Sequence, residues 1–301
     1  MWVESDIASS SPTPMKRLAR NRLKSFSVDR LLRHALRHWH AQEGWRAVEV
    51  LQRRGSPALL ARIETLSDSP RVRRRAVGMS IAAQLMRREH GRDVLFAEQQ
   101  TQQLLLRGLS DPHHDVVRAA VAGLGQRPHG ASVQGLLRLS THADSKMRWQ
   151  VAVALGSYEE PEAIEGLIRL ASDTSAEVRD WATFGLGTLR DDDTPEIREA
   201  LRLNLRDSDE DVRGEALVGL ARRGDHDIVD VLITQLTPEC HLYELDAAEA
   251  LADPRLVEPL QALSRSAPPS WTAIWQTHLD EALAACSNQS VPVGTERSSA
   301  S

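Results

Sequence analysis

The stretch "SAEVRDWATFGLG", residues 175–187, sets Arg179, Asp180 and Trp181 side by side, a guanidinium, a carboxylate and an indole of the kind that reactive sites assemble. Two histidine groups also have suggestive spacing. His34 and His38 fall four residues apart, as metal ligands on a helix do, and "DPHHD" adds His113, His114 and Asp115. Zinc takes three or four protein ligands, and neither group supplies a convincing set, so solvated histidines and no metal are expected. The chain has no phosphate-binding glycine loop, no nucleophile elbow, no HExxH and no cysteine pair near a histidine in sequence. No catalytic residue and no cofactor are therefore expected. Cys240 and Cys286 lack metal-like spacing and read as small buried thiols.

The opening frame recurs, which turns the question from chemistry to architecture. It reads "PRVRRRAVGMS" from Pro70, "DVVRAAVAGLG" from Asp115, "SKMRWQVAVALG" from Ser145 and "DEDVRGEALVGLA" from Asp209. Each copy has an apolar residue, an arginine, two variable residues and then Ala or Val. The arginines are Arg73, Arg118, Arg148, Arg179 and Arg213, and after the first pair they recur every 30 to 34 residues, the period of a solenoid. Between them lie second helices with proline at the first helical position, in "SPALLARIETL", "EPEAIEGLIRLA", "TPEIREALRLNL" and "DPRLVEPLQAL". Proline is tolerated there because its missing N–H would have no partner within the helix. Gly55, Gly156 and Gly224 read as left-handed residues that end first helices. No alternating run is long enough to predict a strand.

On the helical wheel Val178, Ala182, Gly185 and Leu186 share one face of the first helix, and Ile164, Leu167, Ile168 and Ala171 share one face of a second. A lone hairpin cannot bury such a stripe, so neighbours must stack. Asp173 stands six residues before Arg179, as Asp207 does before Arg213, and Asp68 leads Arg73. Asp68, Asp173 and Asp207 with Arg73, Arg118, Arg148, Arg179 and Arg213 predict a ladder in which guanidiniums bridge carboxylates and free helix-end carbonyls of successive loops.

The units quoted in "LASDTSAEVRDWATFGLG" and "LRDSDEDVRGEALVGLA" resemble HEAT repeats, specifically the short bacterial HEAT-like class also found in phycobilin lyases. The resemblance covers roughly residues 43–264 and implies a right-handed α-solenoid of six or seven helical hairpins. It departs at Asp144, at residues 111–118 and at "HLYELDAAEALA", where Glu244 takes the arginine position. Related solenoids include scaffolds, chromophore lyases, iron-dependent hydroxylases and DNA glycosylases, so function must come from the site. The resemblance places Arg179, Asp180 and Trp181 on the outer helix, whereas the glycosylases use a Trp and an Asp to hold and hydrolyse a damaged nucleotide. The repeated His-Glu dipeptides of the hydroxylases do not occur here.

Residues 1–25 are polar with the basic run "MKRLARNRLKS", residues 26–286 form the solenoid with capping helices at both ends, and the tail 287–301 lacks apolar periodicity. Both tails are expected to be disordered. "SVDRLLRHALRHWH" predicts the first cap, with Leu32, Ala35, Leu36 and Trp39 on its apolar face and His34 and His38 on its polar one. Trp271 and Trp275 mark the last cap. No apolar run spans a membrane and no secretion signal opens the chain, so a cytoplasmic location is expected.

Charge divides the sequence. Residues 1–150 hold 25 Lys and Arg against 13 Asp and Glu, while residues 151–301 hold 12 against 29. The basic half makes nucleic acid a second partner class, although aromatics for base stacking are scarce there. The first class is protein. Arg107, Arg138, Arg169 and Arg202 occupy one place in the second helices at intervals of 31, 31 and 33, which predicts an arginine ridge on the concave face. The position after the repeat arginine, held by Ala119, Trp149, Asp180 and Gly214, should face water, and an exposed Trp149 would be an interface anchor. The sequence thus reads as a non-catalytic protein-binding scaffold. The alternatives are a tetrapyrrole lyase or chaperone, implied by the resemblance alone, and a nucleic-acid binder.

Overall fold

The computed structural model describes residues 22–266 and 271–288. Helices are α1 (Val28–Arg37), α2 (Gln42–Gln52), α3 (Pro57–Ser67), α4 (Val72–Ala83), α5 (Glu98–Gly108), α6 (His114–Gln126), α7 (Val133–Leu139) and α8 (Ser145–Leu155). They continue as α9 (Pro161–Leu170), α10 (Ala176–Gly187), α11 (Pro195–Asn204), α12 (Glu210–Arg222), α13 (Val229–Gln235), α14 (Leu242–Leu251), α15 (Val257–Ser266) and α16 (Ala273–Ser287). Strands β1 (Met86–Glu89) and β2 (Arg92–Leu95) lie between α4 and α5. The architecture is an all-α solenoid of paired helices, with seven hairpins from α2–α3 to α14–α15 among the described residues. Of the expected tails, residues 1–21 and 289–301 lie outside the described residues. Arg22–Lys24 form a helical turn that buries Leu23.

Two compact units divide within α7, at Leu136 and Leu137. In the first unit α1 packs on α2, α3 on α4, and α5 on both α4 and α6. In the second, α8, α10, α12, α14 and α16 contact one another in chain order, α9 and α11 each pack on the first helix of their own pair, and α15 packs on α16. The repeat's apolar stripe is the reason: Val178, Ala182 and Leu186 of α10 are fully buried, as are Val212, Ala216 and Leu220 of α12. Local capping starts the second helices. Ser56 accepts from Leu59 N and Thr194 from Ile197 N, each with proline next in sequence.

The close approach of first helices rests on glycine. A Cβ on Gly219 of α12 would lie 2.6 Å from Cα of Gly187 on α10. Backbone cannot yield as a side chain can, so Gly219→Ala is expected to destabilise the second unit by about 2–3 kcal/mol in urea unfolding. A midpoint equal to that of the parent protein would refute this packing.

The β hairpin corrects the expectation that no strand interrupts the helices, within a fold that is otherwise all-α among the described residues. Its strands pair antiparallel from Met86 with Leu95 to Glu89 with Arg92, and the turn residues His90 and Gly91 have φ of 48° and 83°. Both central residues at positive φ make the two-residue turn favoured by hairpins. The glycines differ as well. Of Gly55, Gly156 and Gly224, only Gly224 has positive φ. Gly55 is instead small because its N–H donates to Met86 O at 2.7 Å, where a Cβ would meet Phe96 Cβ at 2.6 Å.

Candidate protein-interaction surfaces

Arg148 and Arg179 each work in two loops at once. Arg179 donates through Nε and Nη2 to the two carboxylate oxygens of Asp207, both at 2.7 Å, and through Nη1 to Asp173 O at 2.9 Å. Arg148 grips Asp173 at 2.6 and 2.8 Å and the His142 carbonyl at 2.7 Å. Arg213 donates to Asp207 O at 2.8 Å. Each aspartate carboxylate therefore takes the arginine of the preceding repeat, its carbonyl takes its own, and the carboxylate also accepts from Ser175 N or Asp209 N two residues on. Such bidentate pairs fix loop geometry as well as contributing energy.

In the first unit the place of Arg73 belongs to Arg75, which holds Asp111 at 2.7 and 2.9 Å and Ser69 O at 3.0 Å. Arg73 is exposed, and Asp68 is an exposed helix end 3.8 Å from Arg107. The frame is displaced by two residues because Gly78 stands where later repeats have Ala or Val, tucked against Leu66 and Ser67. Arg118 sits half-buried on α6.

The row after the repeat arginine does not face water as expected. Trp149 is half-buried and packs edge-on against Trp181 at 5.6 Å, and Trp181 packs against Phe184 at 5.6 Å. Gly214 is buried beneath the Tyr243 ring. Burial pushes the Asp180 carboxyl up to about 6, with repulsion from Asp211 and Asp209 adding to it. Glu215 goes higher: burial raises it to about 7, opposed by the Thr188 hydroxyl, which donates to it at 3.1 Å. Tyr243 donates to Asp211 at 3.2 Å and His278 Nδ1 lies 2.6 Å from Asp246. The sequence reading missed Glu215, Asp211, Tyr243, Asp246 and His278. Their signal was the unusual density of acids in that half of the chain. Lateral contact between first helices creates this face, and an arginine-frame period does not reveal it.

On the second helices Arg107, Arg138, Arg169 and Arg202 are all exposed, yet they are not equivalent. Arg202 is 2.5 Å from the buried carboxylate of Asp225, and Arg107 is 3.8 Å from Asp68. Arg138 and Arg169 have no carboxylate within ion-pair distance among the described residues. These two guanidiniums, one repeat apart, are free to meet an external acid.

Other clusters serve locally. His113 Nδ1 accepts from Asp115 N at the start of α6, and the side chains of His113, His114 and Asp115 bring ligand atoms within 4.8 Å of one another. His34 and His38 are half-buried rather than fully solvated, with ring centroids 4.5 Å apart. Burial pushes the thiols of Cys240 and Cys286 up to about 12 and about 11, which keeps them protonated and unreactive. Among the described residues no helix is long and apolar enough to cross a membrane.

Residues 101–187 match the family model for HEAT repeats. That segment carries HEAT repeats. The solved structure of YibA from Escherichia coli is similar to it over 91% of this chain and 98% of that one, with 21% identity and a TM-score of 0.72, which shows a shared fold. An engineered protein aligns over 90% of this chain and 78% of its own, at 16% identity and a TM-score of 0.49. The CpcE–CpcF complex of phycocyanin lyase from Nostoc sp. PCC7120 aligns over 94% and 99%, at 17% identity and a TM-score of 0.40. Comparison with curated proteins found no match. In this chain the HEAT-repeat frame accounts for the arginine ladder and leaves Arg138, Arg169 and the Trp149 face outside it.

Proposed function

We propose that this chain is a non-catalytic scaffold whose second helices hold a protein partner through carboxylates on that partner. One observation carries the reading: Arg138 and Arg169 are exposed in matching positions of consecutive HEAT repeats without an internal acid. Glu165 stands one turn before Arg169, where an ion pair would form readily, and it does not engage it among the described residues. Structural arginines in the same chain behave otherwise, since Arg148 and Arg179 are locked by two-pronged contacts. Arg202 belongs with these, because Asp225 holds it, and Trp149, half-buried in an aromatic array, is a secondary contact.

The test is a pull-down from native lysate with wild type, with Arg138→Glu/Arg169→Glu and with Arg73→Glu as a charge control. A protein retained by wild type and by the control but lost from the double variant, with all three equally folded by circular dichroism, is the expected result. Equal capture by all three refutes the arginine contact. Visible absorbance that co-purifies with the chain, or capture of nucleic acid alone, would replace the scaffold with a tetrapyrrole-handling or nucleic-acid-binding role.

A further inference from the structure

The first unit contains a cavity of about 810 Å³ between the Arg22–Phe26 turn, α1 and the start of α2. Five arginines line it: Arg22, Arg30, Arg33, Arg37 and Arg46. His34 and His38 add two more nitrogen groups, and Glu43 is the one acid in the lining. Leu23 and Phe26 supply an apolar floor. None of the five arginines has a carboxylate within ion-pair distance among the described residues, although neighbouring Asp29 pairs with Arg62 at 3.3 Å. Arg30 is oriented by lying 3.6 Å over the Phe26 ring.

Helix periodicity explains how a surface helix gathers such a set. Arg30, Arg33, His34, Arg37 and His38 recur at three- and four-residue steps and share one side of α1, opposite the buried Leu31, Leu32 and Ala35. Crowding five like charges around the single acid Glu43 costs stability, and a bound anion relieves that cost. A cavity of several hundred cubic ångströms has the size of a small-molecule site, larger than a lone phosphate requires. Guanidiniums recognise phosphate oxygens in pairs, and several around one concavity suit a linked diphosphate better than scattered contacts along a duplex.

We propose that this cavity binds a small ligand through a diphosphate group, with Arg33, Arg37 and Arg46 as its principal contacts. His34 makes the site respond to pH. His34 lies below its ordinary range because of burial first, then the charge of His38, with Arg37 and Arg30 adding and Glu43 opposing. Arg22, Arg33 and Arg46 complete the charges around it. A diphosphate offsets this repulsion, so its binding takes up protons and tightens as pH falls from about 8 to 6.

Isothermal titration calorimetry of the full chain with sodium pyrophosphate, ADP and sodium sulfate at matched ionic strength tests the site. Saturable binding of pyrophosphate is expected, weakened about tenfold in Arg33→Gln/Arg37→Gln and unchanged in the charge-matched control Arg74→Gln/Arg92→Gln. Arg37→Gln alone should weaken it about threefold, so the outcome does not depend on the double variant folding. Tighter binding of ADP than of pyrophosphate would identify a nucleotide as the source of the diphosphate, and equal or weaker binding an inorganic or otherwise minimal one. Pyrophosphate bound no better than sulfate, or lost equally in both double variants, would overturn the proposal. So would tight binding of duplex DNA that pyrophosphate does not displace.

Discussion

Asp207→Ala is expected to lower the unfolding free energy by about 3 kcal/mol, while Asp68→Ala costs less than about 0.5. Both residues precede a repeat helix, and the difference lies in burial and partners. Asp207 and Arg179 are 9% and 15% exposed, whereas Asp68 and Arg107 are 71% and 63% exposed and 3.8 Å apart. Removing the Asp207 carboxylate strands the Nε and Nη2 donors of Arg179 and frees the Asp209 N–H from its loop contact. A buried cation without its acid typically costs 3–5 kcal/mol, and the slight exposure here argues for the lower end, about 3. The pH dependence has a definite sign. Hydrogen bonding from Arg179 holds the Asp207 carboxyl below its ordinary range, and Arg148 does the same for Asp173. Their contribution is complete above the unfolded-state value near 4 and is lost as pH falls below it. Urea midpoints for both variants at pH 7 check the energies. Equal losses at Asp207 and Asp68 would mean that the ladder does not hold the loops.

How much of this was legible depended on whether the determinant lay along a helix or across helices. The arginine frame was readable because Val178 and Ala182 flank Arg179 at fixed steps and the pattern repeats in Val212, Arg213 and Ala216. The same cue failed at Arg73, since three consecutive arginines precede Ala76 and Gly78 disguises the register that makes Arg75 the ladder residue. The β hairpin was hidden by "MRREHGRDVL", whose charged residues fall on both faces of each strand, although "HG" at its centre carried the turn. Trp149 was placed in water, because a wheel for one helix contains no information on the neighbour that Trp181 belongs to. Arg202 and Arg138 look identical in sequence. Only the fold brings Asp225 to the first and leaves the second free.

Glu215→Gln is expected to raise stability at pH 8 by about 1–2 kcal/mol and to change it little at pH 5. The Glu215 carboxyl is pushed up to about 7 by burial, and Asp180, Asp211 and Asp246 repel its charge, while the Thr188 hydroxyl donates to it in partial compensation. An unfolded glutamate releases its proton near pH 4.3, so between there and about 7 the folded state binds a proton that the unfolded state has lost. Stability contributed by this group therefore falls as pH rises through that window and is flat above it, opposite in sign to the ladder aspartates. Asp180, raised to about 6, adds a second descent over the lower part of the same range. Glutamine keeps an acceptor for Thr188 and carries no charge, so the variant should retain only the Asp180 part of the decline. Unfolding midpoints at pH 5, 6.5 and 8 separate the cases: parallel curves for the two proteins would show that Glu215 ionises freely, and that the acidic face of α10, α12 and α14 is solvated rather than packed.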